Sequence, residues 1–202
     1  MDVPQAPEGR PRRSAVDDPG RRAWLVRAVG ATVGVACAAV TAGQAEAHAA
    51  TRTSKAIRAS QSDWRFCTKC YGLFFRGYPA DGACPAGSGH DSAGYNFNLP
   101  HDVPETPTAQ RNWRFCPKCY GMYFYGYPTN GRCPTGDAHG KAAGDYDFVL
   151  PHDIPPTANS QRNWRFCNKC YGLFFYGYPT NGVCPAGAAH YMAGYDFVLP
   201  FL

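Results

Sequence analysis

The sequence predicts an all-β protein made of three small metal-stapled β-hairpin units behind an N-terminal signal helix, and three observations carry that expectation. A unit near 50 residues long recurs three times, each copy keeps one Cys/His set at the same internal spacing, and Gly and Pro punctuate the chain. With 22 Gly and 18 Pro among 202 residues, long helices have no room after the N-terminal segment.

The repeat is read on its tryptophans. Trp64, Trp113 and Trp164 lie 49 and 51 residues apart, and almost every position between them recurs. Each copy opens Gln-x-x-Trp-Arg-Phe-Cys-x-Lys-Cys-Tyr-Gly and runs through an aromatic stretch to Gly-Tyr-Pro-x-(Asp/Asn)-Gly-x-Cys-Pro-x-Gly-x-x-His. It closes on Tyr-(Asn/Asp)-Phe-x-Leu-Pro. This divides the chain into a signal segment (1–49), a spacer (50–60) and repeats at 61–109, 110–160 and 161–202. Two extra residues between His139 and Tyr146 mark a tolerant loop in the middle copy, and the Pro-rich linkers Pro100–Gln110 and Pro151–Gln161 read as extended connectors.

Turn chemistry places the strands. Asp81-Gly82, Asn130-Gly131 and Asn181-Gly182 are favoured type I′ pairs. Each is expected to close a hairpin from Leu73–Arg76, Met122–Tyr125 or Leu173–Tyr176 to a second strand running into Cys84, Cys133 or Cys184. The Leu73/Phe75 face is expected inside and the Phe74/Arg76 face outside. A further strand is expected at Tyr95–Leu99, Tyr146–Leu150 and Tyr195–Leu199. Separate beads or a short stack are the expected arrangement, with threefold closure as the competing one.

The cysteines carry the sharpest chemistry. Every repeat supplies Cys-x2-Cys-x13-Cys-x5-His: Cys67, Cys70, Cys84 and His90; Cys116, Cys119, Cys133 and His139; Cys167, Cys170, Cys184 and His190. Two thiolates from one tight knuckle and a Cys/His pair returned from further along suit tetrahedral zinc, so three structural zinc ions are expected. Units of roughly 40 residues also need a metal or disulfide staple to stay folded. Disulfides exchanged between units and a redox-active Cys-x-x-Cys are the alternatives. Against disulfides stands parity, since three Cys per unit cannot pair internally. Against the redox pair, Tyr71-Gly72-Leu73-Phe74-Phe75 reads as strand rather than helix.

Aromatics supply the candidate ligand surface. Trp64, Trp113 and Trp164 precede the first ligand by three residues, where an indole could cover the metal knuckle, although core packing is the simpler expectation. Phe66, Phe115 and Phe166 read as core. Tyr71, Phe74 and Tyr78, with Tyr120, Tyr123 and Tyr127 and with Tyr171, Phe174 and Tyr178, are candidates for an outer face that stacks on a sugar or peptide, against packing between units. Arg65, Arg114 and Arg165 and Lys69, Lys118 and Lys169 are read as offsetting thiolate charge. The linker pairs His101-Asp102 and His152-Asp153 lack a nucleophile and are missing from the end of the third repeat, Phe201-Leu202. They read as a linker cap or as contacts to the next unit.

The first 49 residues read as an export signal: a polar, Arg-rich stretch ending in Arg21-Arg22, a soft apolar run from Ala28 to Gly43 that contains Cys37, and small residues at cleavage-site spacing. The run is short for a bilayer span. Arg21-Arg22 before Ala23-Trp24-Leu25 resembles a twin-arginine signal, with Gly20 where Ser or Thr is usual. The string Trp-Arg-Phe-Cys-x-Lys-Cys-Tyr-Gly-Leu-Phe-Phe with Cys-Pro-Ala-Gly-x-x-His, over residues 61–202, resembles a tandem Cys/His repeat of secreted bacterial proteins that carries no established activity. Its knuckle–hairpin–knuckle order is similar to zinc ribbons, from which the Cys3His set departs.

From residue 50 onward 14 Lys+Arg face 10 Asp+Glu, too mild a balance to imply nucleic acid. No phosphate-binding loop, paired carboxylates or open metal site appears, so no enzyme is expected. The expectation is a secreted or cell-surface module whose aromatics bind extracellular glycan, cell wall or protein. The alternative is a structural or metal-handling envelope protein, and the membrane enters only through the signal segment during export.

Overall fold

A computed structural model of the protein describes residues 59–202, so the expected signal segment and Cys37 lie outside the described residues. Within that range each repeat forms one three-stranded antiparallel sheet. The strands are β1 (Ser60–Cys67), β2 (Leu73–Phe75) and β3 (Ser92–Pro100); β4 (Ala109–Phe115), β5 (Met122–Phe124) and β6 (Phe148–Pro151); and β7 (Ser160–Cys167), β8 (Leu173–Phe175) and β9 (Met192–Pro200). The sheet orders are β2-β1-β3, β5-β4-β6 and β8-β7-β9. The described chain is all-β, as expected.

The central strand of each sheet was not among the expected strands. It is the segment Gln-x-x-Trp-Arg-Phe that leads into the first ligand. Its register breaks between Gln61 and Trp64, between Gln110 and Trp113 and between Gln161 and Trp164. At each break a residue takes a left-handed φ: Asp63 at 68°, Asn112 at 69° and Asn163 at 69°. Asp and Asn tolerate that region better than other non-glycine residues. The amide of each donates to a side-chain oxygen in the partner strand or just before it, of Asn96, Asp147 or Asp196, at 2.7–2.8 Å. The bulge is thus written into the sequence on both strands.

The expected hairpin is corrected. Leu73 pairs with Phe66 and Phe75 with Trp64, so the hairpin is β1–β2 and its turn is the Cys67–Cys70 knuckle itself. No strand runs into Cys84, Cys133 or Cys184. Of each turn pair only the glycine has positive φ (Gly82 63°, Gly131 63°, Gly182 62°), which rules out type I′. The reason is tertiary. A Cβ on Gly82 would lie 2.9 Å from the carbonyl carbon of Cys119, so this turn is packed onto the knuckle of the next repeat instead of closing a hairpin of its own.

Three such contacts close the sheets into a ring, and the expectation of beads or a stack is corrected with them. Phe75, Phe124 and Phe175 donate their amides to the carbonyls of Tyr120, Tyr171 and Tyr71, each at 2.9 Å. Bridges join Phe74 to Gly121, Tyr123 to Gly172 and Phe174 to Gly72. At the other end Asp102 donates to Asp147 (2.8 Å), Asp153 to Asp196 (2.9 Å) and Leu202 to Asn96 (3.0 Å). Each repeat contacts the next, and the third returns to the first.

One hydrophobic core fills the ring. Trp64, Trp113 and Trp164 are fully buried, with Phe97, Phe148 and Phe197 and with Leu99, Leu150 and Leu199. Each indole meets a phenyl ring of the following repeat edge-on: Trp64 on Phe148 at 5.1 Å, Trp113 on Phe197 at 5.0 Å and Trp164 on Phe97 at 5.1 Å. Each Trp Nε1 donates to the Gln three residues before it, at 3.0–3.2 Å. Because every indole is buried by its neighbour's side chains, no repeat could bury its own core alone.

Candidate metal centres

Each knuckle is a turn in which the tyrosine after the second cysteine sits at left-handed φ (Tyr71 64°, Tyr120 65°, Tyr171 63°). Its amide returns to the carbonyl of the first cysteine, for example Tyr71 to Cys67 at 2.9 Å. That turn aims both thiols to one side. The third cysteine and the histidine come from the loop that follows, and a lysine inside the knuckle ties the two pieces together. Lys69 Nζ donates to Gly87 O at 3.1 Å, Lys169 to Gly187 O at 2.7 Å and Lys118 to Ala138 O at 2.5 Å.

The result is three buried clusters, Cys67/Cys70/Cys84/His90, Cys116/Cys119/Cys133/His139 and Cys167/Cys170/Cys184/His190, whose ligand atoms all lie within 4.8 Å of one another. The structure brings together all twelve residues singled out from their spacing. The first and third sulfurs are 3.9, 4.0 and 3.9 Å apart, and the second sulfur is 3.5, 3.5 and 3.4 Å from histidine Nδ1. Zn–S bonds of about 2.3 Å and Zn–N bonds of about 2.0–2.1 Å at tetrahedral angles give S···S of about 3.8 Å and S···N of about 3.6 Å. A disulfide needs sulfurs about 2.05 Å apart, and all nine described cysteines are free thiols. The clusters can therefore each hold a metal ion.

Electrostatics point the same way. Hydrogen bonds with neighbouring sulfurs, then burial, drive the thiols of Cys70, Cys119 and Cys170 well above the ordinary range, while Cys67, Cys116 and Cys167 are lowered. Burial pulls the histidines down, but the first and third sulfurs outweigh it and raise each to about 9. Three thiolates cannot share so small a volume without a cation, and a bound divalent ion removes that conflict.

The other face of each imidazole is committed as well. Nε2 of His90, His139 and His190 lies 3.2 Å from the carbonyl oxygen of Cys119, Cys170 and Cys70 respectively. With Nδ1 turned to the cluster, Nε2–H donates to the knuckle of the next repeat, and that outer partner fixes ring orientation and tautomer. Each candidate site is therefore oriented by its neighbour.

The candidate ligand-binding aromatics divide into two groups. Phe74, Tyr123 and Phe174 are fully buried and stack on His90, His139 and His190 at 4.5, 4.7 and 4.6 Å. They cover the metal clusters, while the tryptophans pack in the core as expected, and the expectation that Phe74, Tyr123 and Phe174 face outward is corrected. Both faces of β2 are buried because the strand lies between the central core and a cluster. Tyr71, Tyr120 and Tyr171 are half-buried, and Tyr78, Tyr127 and Tyr178 are 48%, 50% and 49% exposed. These six meet across the boundaries at 5.2–5.3 Å: Tyr78 on Tyr120, Tyr127 on Tyr171 and Tyr178 on Tyr71.

No family model, curated protein or solved structure matches this chain. The linker His-Asp pairs are explained by the ring. His101 stacks on Tyr146 and His152 on Tyr195, both at 3.7 Å, and each His Nδ1 lies 2.9–3.0 Å from the carboxylate of its following Asp. Asp102 and Asp153 accept the amides of Asp147 and Asp196. At the third boundary Phe201 takes the histidine's place on Tyr95 at 3.8 Å. The His-Asp pairs are thus contacts to the next repeat, as their linker position suggested. Arg114 pairs with Asp147 at 2.5 Å and Arg165 with Asp196 at 3.6 Å. Those arginines serve the bulge carboxylates and not the thiolates.

Proposed function

We propose that the chain is an exported, non-enzymatic binding module held in shape by three zinc ions, which presents aromatic residues at its repeat boundaries to extracellular glycan, cell wall or protein. The supporting observation is the threefold recurrence of half-exposed Tyr78, Tyr127 and Tyr178 on a frame fixed by three buried Cys3His clusters. Three thiolates and one imidazole in tetrahedral array favour zinc among the available divalent metals, and four protein donors leave no coordination position for a substrate. Burial of every ligand, with each histidine fixed from behind, suits a structural ion better than one handed on. The N-terminal Arg21-Arg22 segment supports export by the twin-arginine route, which carries folded proteins and would let the thiolates take up metal before meeting an oxidising compartment.

The test is native mass spectrometry of the full chain, purified without added metal or reductant, followed by screening of the same preparation on glycan arrays and purified cell wall. Three zinc ions, nine unoxidised repeat cysteines and a bound ligand are expected. A flat screen with readily exchanged metal would overturn the binding reading in favour of a metal-handling one. Mass losses matching disulfides would overturn the zinc assignment.

A further inference from the structure

The ring creates three equivalent clefts that no single repeat contains. The first lies between repeats 1 and 2, with Gln61, Phe75 and Tyr78 on one side and Phe115 and Tyr146 on the other, and its volume is about 350 Å³. The second takes Gln110, Phe124 and Tyr127 with Phe166 and Tyr195, at about 370 Å³. The third joins the end of the chain to its start, with Gln161, Phe175 and Tyr178 facing Phe66 and Tyr95, at about 310 Å³. The same residue types occupy the same places three times, and each volume falls at the small end of the roughly 300–1,000 Å³ typical of small-molecule sites.

Four features of these clefts define a ligand chemistry. Opposing walls are tyrosines that keep one face free: Tyr146, Tyr195 and Tyr95 are 41–46% exposed although a stacked His101, His152 or Phe201 covers their other face at 3.7–3.8 Å. Tyr78, Tyr127 and Tyr178 stand across from them, about half exposed. Each cleft also holds one fixed amide. The Oε1 of Gln61, Gln110 or Gln161 is occupied by a buried indole N–H, which leaves the two Nε2 hydrogens as oriented donors. Finally, no lysine, arginine or histidine lines any of the three.

We propose that these clefts are three saccharide sites, each taking one neutral pyranose unit between the two tyrosines, its hydroxyls bonded by the Gln amide and the tyrosine hydroxyls. A ring with an apolar face and a polar rim matches rigid aromatic walls with hydrogen-bonding tips. The absence of cations disfavours phosphate and acidic ligands, and bridges from β2 and from the end of β3 to neighbouring repeats leave little strand edge for a peptide to extend. The first cleft differs in one respect. The two-residue insertion brings Asp145 to its lining, where Oδ2 already accepts the Phe115 amide at 3.2 Å, adding a carboxylate the other two lack. Three clefts set around one ring suit a repetitive polymer or a surface of repeated termini, where effective concentration multiplies a weak single-site affinity.

This inference rests on the binding-module reading and narrows it. The experiment uses the metal-loaded full chain on an array of neutral glycans and on a peptide array, with Tyr78→Ala, Tyr127→Ala, Tyr178→Ala and the triple variant beside it, each checked for metal content and melting temperature. A neutral glycan should bind, and titration with the methyl glycoside of its terminal sugar should give three sites per chain. Each single substitution should remove one site or weaken it about tenfold or more, and the triple variant should lose avidity while keeping its metal. Glycan binding untouched in a folded triple variant would overturn the clefts and leave the module reading standing. Peptide binding that the triple variant loses, without any glycan, would overturn the saccharide and keep the clefts. Silence on both arrays would overturn both.

Discussion

Gly182→Ala tests ring closure at its most demanding point, the return from repeat 3 to repeat 1. Gly182 sits at φ 62°, and a Cβ there would press on the Cys70 carbonyl, 2.6 Å from its carbon and 2.9 Å from Tyr71 Cβ. Two costs add. An L-residue in this backbone region loses about 1–2 kcal/mol, and the knuckle carrying Cys70 must move by several tenths of an ångström or more in a packed setting, an overpacking cost of about 1–3 kcal/mol. Gly194→Ala separates them, because its φ is 69° and a Cβ there meets nothing within 4 Å. The difference between the variants, about 2 kcal/mol, is the ring contact alone. For a folded region of this size it corresponds to a separation in Tm of about 4–8 °C. Thermal and urea melts of the metal-loaded variants provide the measurement. Equal destabilisation by the two substitutions would refute closure, since independent beads would feel only the backbone term.

Two further changes probe single groups. Tyr123 stands where the other repeats have Phe74 and Phe174, and its buried hydroxyl has no hydrogen-bond partner. Tyr123→Phe should therefore stabilise the protein by about 1 kcal/mol, read as a higher urea midpoint at unchanged slope; a loss of stability would show that the hydroxyl is satisfied. Burial pushes Asp147 up, but Arg114 and Arg111 outweigh it and hold the carboxyl below its usual range. A depressed aspartate contributes stability above its unfolded value of about 3.9, and that contribution fades as pH falls through the lower folded value. The stability gap between wild type and Asp147→Asn should stay constant from pH 7 to about 5 and narrow below about 4, with metal loss common to both; a gap that widens on acidification would contradict the assignment.

The candidate site was more legible than the fold that holds it. Ligand identity travels with spacing: Cys-x2-Cys and Cys-x5-His recur unchanged, and all twelve residues converge. Ring closure leaves no comparable mark, because in near-identical repeats a contact from Phe74 to its own copy and one to the next copy have the same sequence signature. The strand Leu73–Phe75 was read with one wet face on the usual alternation, and that rule fails for a strand buried on both sides. Asp81-Gly82 was read as a local turn, yet Gly is needed there because a neighbour's carbonyl approaches it. One signal was present and unused. The third repeat carries Phe201-Leu202 where the others carry His-Asp, and that aromatic stacks on Tyr95 of the first repeat as the histidines stack on the tyrosines of the second and third.

Metal and ring supply what the other lacks. A cluster fixes a long loop that holds no strand, 76–91, 125–147 or 176–191, yet it cannot bury the tryptophan of its own repeat, which is covered by the next repeat's phenylalanine. Ring packing buries that indole but would leave three crowded thiols without a cation. The histidine joins the two problems, because Nδ1 faces one cluster while Nε2 holds the knuckle of the next. Emptying one site is expected to loosen the contact that positions its neighbour. The repeat boundaries inherit this dependence, since the tyrosines that line each cleft come from both sides of a boundary. Any ligand binding at the clefts should therefore depend on metal loading, read as loss of binding after chelation and its return when zinc is added back.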